Sequence, residues 1–122
     1  MLVSKHEVLP VRSENDVVQV RQQVRKWAAE LGFTLVDQTK TVTAASELAR
    51  NVLVHGKGGT ARLEAIEDGA RRGIRLVFED KGPGIPGTGL GLGLGGSKRL
   101  VTEFHVASRV GEGTCVTITK WK

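Results

Sequence analysis

Apolar positions early in the chain recur every three or four residues: Val17, Val20, Val24, Trp27, Ala28 and Leu31. That spacing predicts an amphipathic helix with Ser13 as N-cap, Asp16 as its capping-box partner and Gly32 as the C-terminal stop. A second stripe, Val42, Ala45, Leu48, Ala49 and Val52, predicts another helix over residues 35–55. Ahead of both, His6 to Val11 is short, β-leaning and closed by Pro10, which predicts an edge strand. Beyond the helices the period drops to two. Residues 60–68 and 74–80 alternate as strands joined through Gly69 to Gly73, and residues 105–110 and 114–121 form a second hairpin through Gly111-Glu112-Gly113. Between the hairpins, residues 97–104 read as a third helix. This order does not alternate strand with helix strictly, so a doubly wound parallel sheet is not expected. The expected class is α+β: a two-layer α/β sandwich, its mixed, mainly antiparallel sheet of about five strands carrying helices on one face, three of them by this count. A chain of 122 residues is expected to form one domain, spanning 1–122.

Polar residues interrupt this pattern at informative places. Ile74, Leu76, Phe78 and Asp80 share one strand face, so a core-facing parity brings the Asp80 carboxylate to the strand end pointing inward. Thr114 has the same relation to Val116 and Ile118. An inward carboxylate is costly unless a donor serves it. On the second helix Thr43, Glu47, Asn51 and His55 follow at i, i+4, a stripe beside the buried one.

The stretch from Glu79 to Arg99 reads EDKGPGIPGTGLGLGLGGSKR. Backbone so rich in glycine can approach a ligand closely and turn its N–H groups inward, as a polyphosphate requires. Leu90, Leu92 and Leu94 run through the ladder where a flexible linker would carry serine. The familiar nucleotide signatures nevertheless fail on it. Gly91, Gly93 and Gly96 satisfy GxGxxG, but a proline-glycine loop precedes them where a dinucleotide fold needs a strand. Gly96-Ser97-Lys98 is not the Gly-Lys-Ser/Thr of a Walker A loop, and no HRD-type catalytic loop follows.

Composition narrows the partners. The net charge of +5 is spread over local pairs such as Arg25/Lys26, Arg71/Arg72 and Lys98/Arg99, and aromatic residues are 4% of the chain, so no nucleic-acid partner is expected. A single cysteine, Cys115, excludes an internal disulfide framework and fits a reducing compartment; it is expected to be a buried strand residue. Lys5, His6 and Glu7 stand where a signal peptide needs an apolar core, and no apolar run is long enough to cross a bilayer. The expectation is a cytoplasmic protein with no membrane partner.

Read together, an ExxxN helix (Glu47, Asn51), DxGxG (Asp80, Gly82, Gly84), the glycine ladder and GxGT (Gly111, Gly113, Thr114) resemble the GHKL, or Bergerat-fold, ATP-binding superfamily of DNA gyrase B, histidine kinases and MutL. Within it the likeness is to the small RsbT-type serine/threonine switch kinases of bacterial partner-switching. SELARNVLVHGKGG, EDKGPGIP, GLGLGLGGSKRLVTEF and GEGTCV stand in that family's order over most of the chain. The resemblance implies ATP and Mg2+ as cofactors, with Asn51 holding the metal and Glu47 orienting or deprotonating the attacking hydroxyl. Asp80 would accept from the adenine amino group beside Thr114, and Gly82 and Gly84 would let the backbone pass under the base. Gly89, Gly91, Gly93, Gly95 and Gly96 would wrap the phosphates together with Lys98. It further implies a STAS-domain antagonist as protein substrate and a phosphatase activated after release. A non-catalytic anti-sigma factor or nucleotide-sensing module is the alternative, against which Glu47 argues because a pure sensor needs no base. One departure stands out: only Pro86 to Thr88 separate the DxGxG box from the ladder, so either the family's longer lid is curtailed here or a disordered stretch is omitted.

Overall fold

The structure is a computed structural model and describes residues 1–82, 99–109 and 111–122. Its elements are β1 (Leu2–Val11), α1 (Glu14–Glu30), α2 (Leu35–Val54), β2 (Gly59–Asp68), β3 (Arg71–Asp80), β4 (Glu103–Arg109) and β5 (Gly113–Trp121).

Both helices begin where side-chain oxygens meet free N–H groups. Ser13 accepts from the Asp16 N–H at 3.1 Å, and Asp16 reaches back to accept from the Arg12 N–H at 2.9 Å. Thr34 caps α2 in the same way, accepting from the Asp37 N–H at 3.1 Å. Gly32, at φ +85°, ends α1: the Phe33 N–H bonds back to the Ala28 carbonyl, and the chain turns into α2.

The five strands form one sheet in the order β1-β2-β3-β5-β4, with every pairing antiparallel. The expectation of a mixed sheet is corrected accordingly, since each neighbouring pair is a hairpin or an antiparallel return. β1 is an edge strand, as Pro10 requires, and starts at Leu2 rather than His6. β3 starts at Arg71, leaving the two-residue loop Gly69-Ala70 with Gly69 at φ +63°. Positive φ at the first loop position is what a two-residue hairpin wants. The expected third helix is not borne out as drawn: residues 99–100 are helical, Glu103 and Phe104 belong to β4, and the segment's start lies outside the described residues. Two helices are described, not three.

The register stacks Leu63, Leu76 and Ile118 in one row and Ala61, Phe78 and Val116 in the next. These rows meet Val17, Val20, Val24 and Trp27 of α1 and Ala45, Leu48, Ala49 and Val52 of α2 in a single core. Each large side chain buried there stabilises the fold by about 1.5–3 kcal/mol. On the opposite face Glu64 is buried between two arginines, with Arg75 Nε at 2.6 Å and Arg62 Nε at 3.8 Å. The Glu64 hydrogen bond holds the Arg75 guanidinium above its ordinary range. Nearby, Arg71 stacks 4.0 Å over the Trp121 ring, whose Nε1–H donates to Glu103.

Candidate functional site

Core-facing parity runs out at one end of the sheet, in the row Gly59, Asp80, Thr114 and Ser108. It continues the inward rows by two residues, so the polar groups of Asp80, Thr114 and Ser108 occupy the side of the sheet that the helices cover elsewhere. Thr114 is buried, and its hydroxyl lies 3.1 Å from that of Ser108. Asp80 is half-buried, and its Oδ1 accepts from the Gly82 N–H at 2.9 Å.

Glycines surround this carboxylate. A Cβ on Gly56 would lie 2.3 Å from Asp80 Cγ, one on Gly59 would meet the Glu79 carbonyl, and one on Gly113, at φ +101°, the Asp80 carbonyl. One on Gly82 would stand 2.8 Å from the Gly56 Cα. The end of α2 is thereby pressed against the end of β3. That approach follows from how α2 stops: the Asn51 carbonyl accepts from both His55 and Gly56 N–H, and Gly58 bonds back to Val52. Lys57 and Gly58 then turn the chain with positive φ. Two clefts flank Asp80, one of about 250 Å³ bounded by Gly58, Thr60 and Lys81, the other of about 330 Å³ bounded by Glu112, Gly113 and Thr114.

Asn51 sits one turn before this junction. Its Nδ2 is buried without a hydrogen-bond partner among the described residues, a costly state unless an acceptor on a ligand completes it. Glu47, a further turn back, is exposed, as is Thr43. The structure therefore brings Asp80, Gly82, Thr114 and the end of α2 together. Gly84, the ladder glycines Gly89, Gly91, Gly93, Gly95 and Gly96, Lys98 and the Pro86-to-Gly89 junction lie outside the described residues.

Sequence reasoning missed Ser108, Gly56 and Gly59. Ser108 was accessible through its even spacing from Val106, which pairs with Val116, whereas the two glycines touch Asp80 only through the packing of α2 on β3. Cys115 is half-buried on the opposite face, not buried as expected, and burial together with Glu79 pushes its thiol pKa up. Among the described residues no cluster of three or more His, Cys, Asp or Glu side chains could hold a metal, and no helix is long and apolar enough to cross a membrane.

This arrangement, a carboxylate in a glycine cradle beside the end of α2, stands in a chain that is similar to known proteins. The histidine kinase-like ATPase domain family matches residues 9–120. The serine/threonine-protein kinase RsbT of Bacillus subtilis (strain 168) is 42% identical over 123 residues, covering 91% of this chain and 92% of that protein. The crystal structure of the RsbU and RsbW domains of Rv1364c from Mycobacterium tuberculosis aligns with a TM-score of 0.69 and 27% identity over 97% of this chain. This chain spans only 32% of that longer one. The chain belongs to the histidine kinase-like ATPase domain family, on the branch represented by the RsbT serine/threonine-protein kinase.

Proposed function

We propose that this chain is a cytoplasmic ATP-dependent kinase that phosphorylates a serine or threonine on a STAS-domain antagonist. Once released, it binds and activates a phosphatase within a stress-signalling assembly. The observation that carries the ATP half of this reading is the Asp80 carboxylate, oriented by the Gly82 N–H and enclosed where a Cβ on Gly56 would collide with it. The kinase half is supported by the name of the 42%-identical relative.

In this reading Asp80 accepts a hydrogen bond from the adenine amino group, and the Thr114 hydroxyl, steadied by Ser108, faces the same base. Gly82 and Gly84 let the backbone pass close to the ring. Asn51, one turn before the junction of α2 with β3, would hold Mg2+ through its side-chain oxygen, while its buried Nδ2 would donate to a ligand acceptor such as a phosphate oxygen. Bound Mg2+ supplies charge neutralisation at the phosphates, the main need of phosphoryl transfer besides positioning. Glu47 orients the acceptor hydroxyl and takes its proton; its place on the exposed side of α2 is where a protein substrate can reach it. Gly89 to Gly96 and Lys98 wrap the phosphates.

Incubation with γ-labelled ATP, Mg2+ and a purified STAS-domain partner tests the reading. Label should appear on a serine or threonine of the partner and be lost with Glu47→Gln. A tight complex without any transfer would refute the kinase and leave the non-catalytic anti-sigma or nucleotide-sensing module.

A further inference from the structure

The face of α1 and α2 that points away from the sheet holds a groove that the Asp80 site does not use. It measures about 540 Å³ and is lined by Arg21 and Arg25 from α1 and by Val42, Thr43, Ser46 and Glu47 from α2. That volume is in the range of ligand clefts. Glu47, one turn from Asn51, joins the groove to the proposed site of transfer.

Arg21 and Arg25 are both exposed and stand one turn apart, a like-charge arrangement that works against the helix. Among the described residues neither has an ion-pair or hydrogen-bond partner. Arg50 pairs with Glu14 at 3.0 Å and Lys5 of β1 with Glu30 at 3.6 Å, whereas Lys26 and Lys40 share with the two arginines the lack of an ion-pair partner among the described residues, but do not line the groove. The opposite wall offers the Thr43 and Ser46 hydroxyls, which can hydrogen-bond an extended backbone, over the apolar Val42. Two guanidinium groups facing hydroxyls select carboxylates, which they bind in forked pairs. The chain's net charge of +5 also steers an acidic partner toward it.

We propose that this groove docks a carboxylate-bearing segment of the protein substrate and thereby delivers the acceptor hydroxyl to Glu47. The proposal rests on the kinase reading above and adds to it the charge of the docking segment.

A fluorescein-labelled peptide with one serine flanked by aspartates and glutamates, and its asparagine/glutamine counterpart, are titrated with the protein by anisotropy at low salt without nucleotide. ATP is titrated separately by calorimetry. The acidic peptide should bind at least about tenfold tighter than the amide peptide, the scale of a charge-assisted bond. Arg21→Glu with Arg25→Glu should abolish that preference, while Arg→Lys at both positions retains part of it. The ATP affinity of the double glutamate variant should match the parent. Equal binding of the two peptides, or a preference that survives the double glutamate variant, would overturn the proposal. A fall in ATP affinity in that variant would assign the arginines to the nucleotide phosphates and overturn it equally. Should the parent bind the acidic peptide selectively but not ATP, the docking surface would stand and the kinase reading would fall.

Discussion

Gly56→Ala moves the Asp80 carboxylate without altering its chemistry. Gly56 is not among the glycines with positive φ, so its backbone accepts alanine. The added Cβ, however, would fall 2.3 Å from Asp80 Cγ, 2.4 Å from its Cβ and 2.6 Å from Oδ2. Carbon atoms rest about 3.5 Å apart at closest favourable contact, so the Asp80 side chain has to shift by about 1 Å. A displaced carboxylate loses the 2.9 Å hydrogen bond from the Gly82 N–H and, in the proposed role, would no longer meet the adenine amine. A hydrogen bond to a charged group is worth about 1.5–3 kcal/mol, which corresponds to a 10- to 150-fold loss of ATP affinity. Stability should fall by less, about 1 kcal/mol, because the half-buried carboxylate regains solvent when it swings out. Calorimetric titration with ATP, beside a thermal melt of each protein, reads both quantities. An ATP affinity equal to the parent's in a folded variant would refute the placement of Asp80 as the adenine acceptor.

Other expectations concern the residues around it. Asn51→Ala should remove the Mg2+-dependent part of nucleotide affinity, measured as the difference between titrations with Mg2+ and with EDTA; an unchanged difference would move the metal elsewhere. Glu47→Gln should lower phosphoryl transfer by about 10²- to 10⁴-fold with little change in ATP affinity, and equal transfer would remove it as the base. Burial and the Glu79 carboxylate both disfavour the Cys115 thiolate, raising its pKa in the folded state. The linked stability is therefore complete below the unfolded thiol pKa and is lost as pH rises through the folded one. Iodoacetamide followed by mass spectrometry should alkylate the folded protein more slowly than the unfolded chain near pH 8, with Glu79→Gln reacting faster; equal rates would contradict the shift.

Much of this architecture is written in local patterns. The stripes of α1 and α2 and their caps at Ser13 and Gly32 need only near neighbours, and so does the inward parity that sets Asp80 and Thr114 at the site. Where sequence reading and structure part, a distant partner decides. Leu100, Val101 and Phe104 have helical spacing, yet Glu103 and Phe104 pair with Thr119 and Ile118, and the Thr102 N–H donates to the Thr119 carbonyl. Arg71 and Arg72 look like turn residues; pairing with Asp68 and Glu67, and the stacking of Arg71 on Trp121, place them in β3 instead. Gly56 and Gly59 read as breakers after a helix, and only the approach of α2 to β3 turns them into walls of the Asp80 cradle.

The central claim is that Asp80 reads the amino group of adenine. Paired calorimetric titrations with ATP and inosine triphosphate test it directly, because the inosine ring presents a carbonyl acceptor to the carboxylate where adenine presents a donor. The account predicts that ATP binds at least about 100-fold tighter, and that Asp80→Asn narrows the gap by weakening ATP. Equal affinity of the parent for the two nucleotides would contradict it.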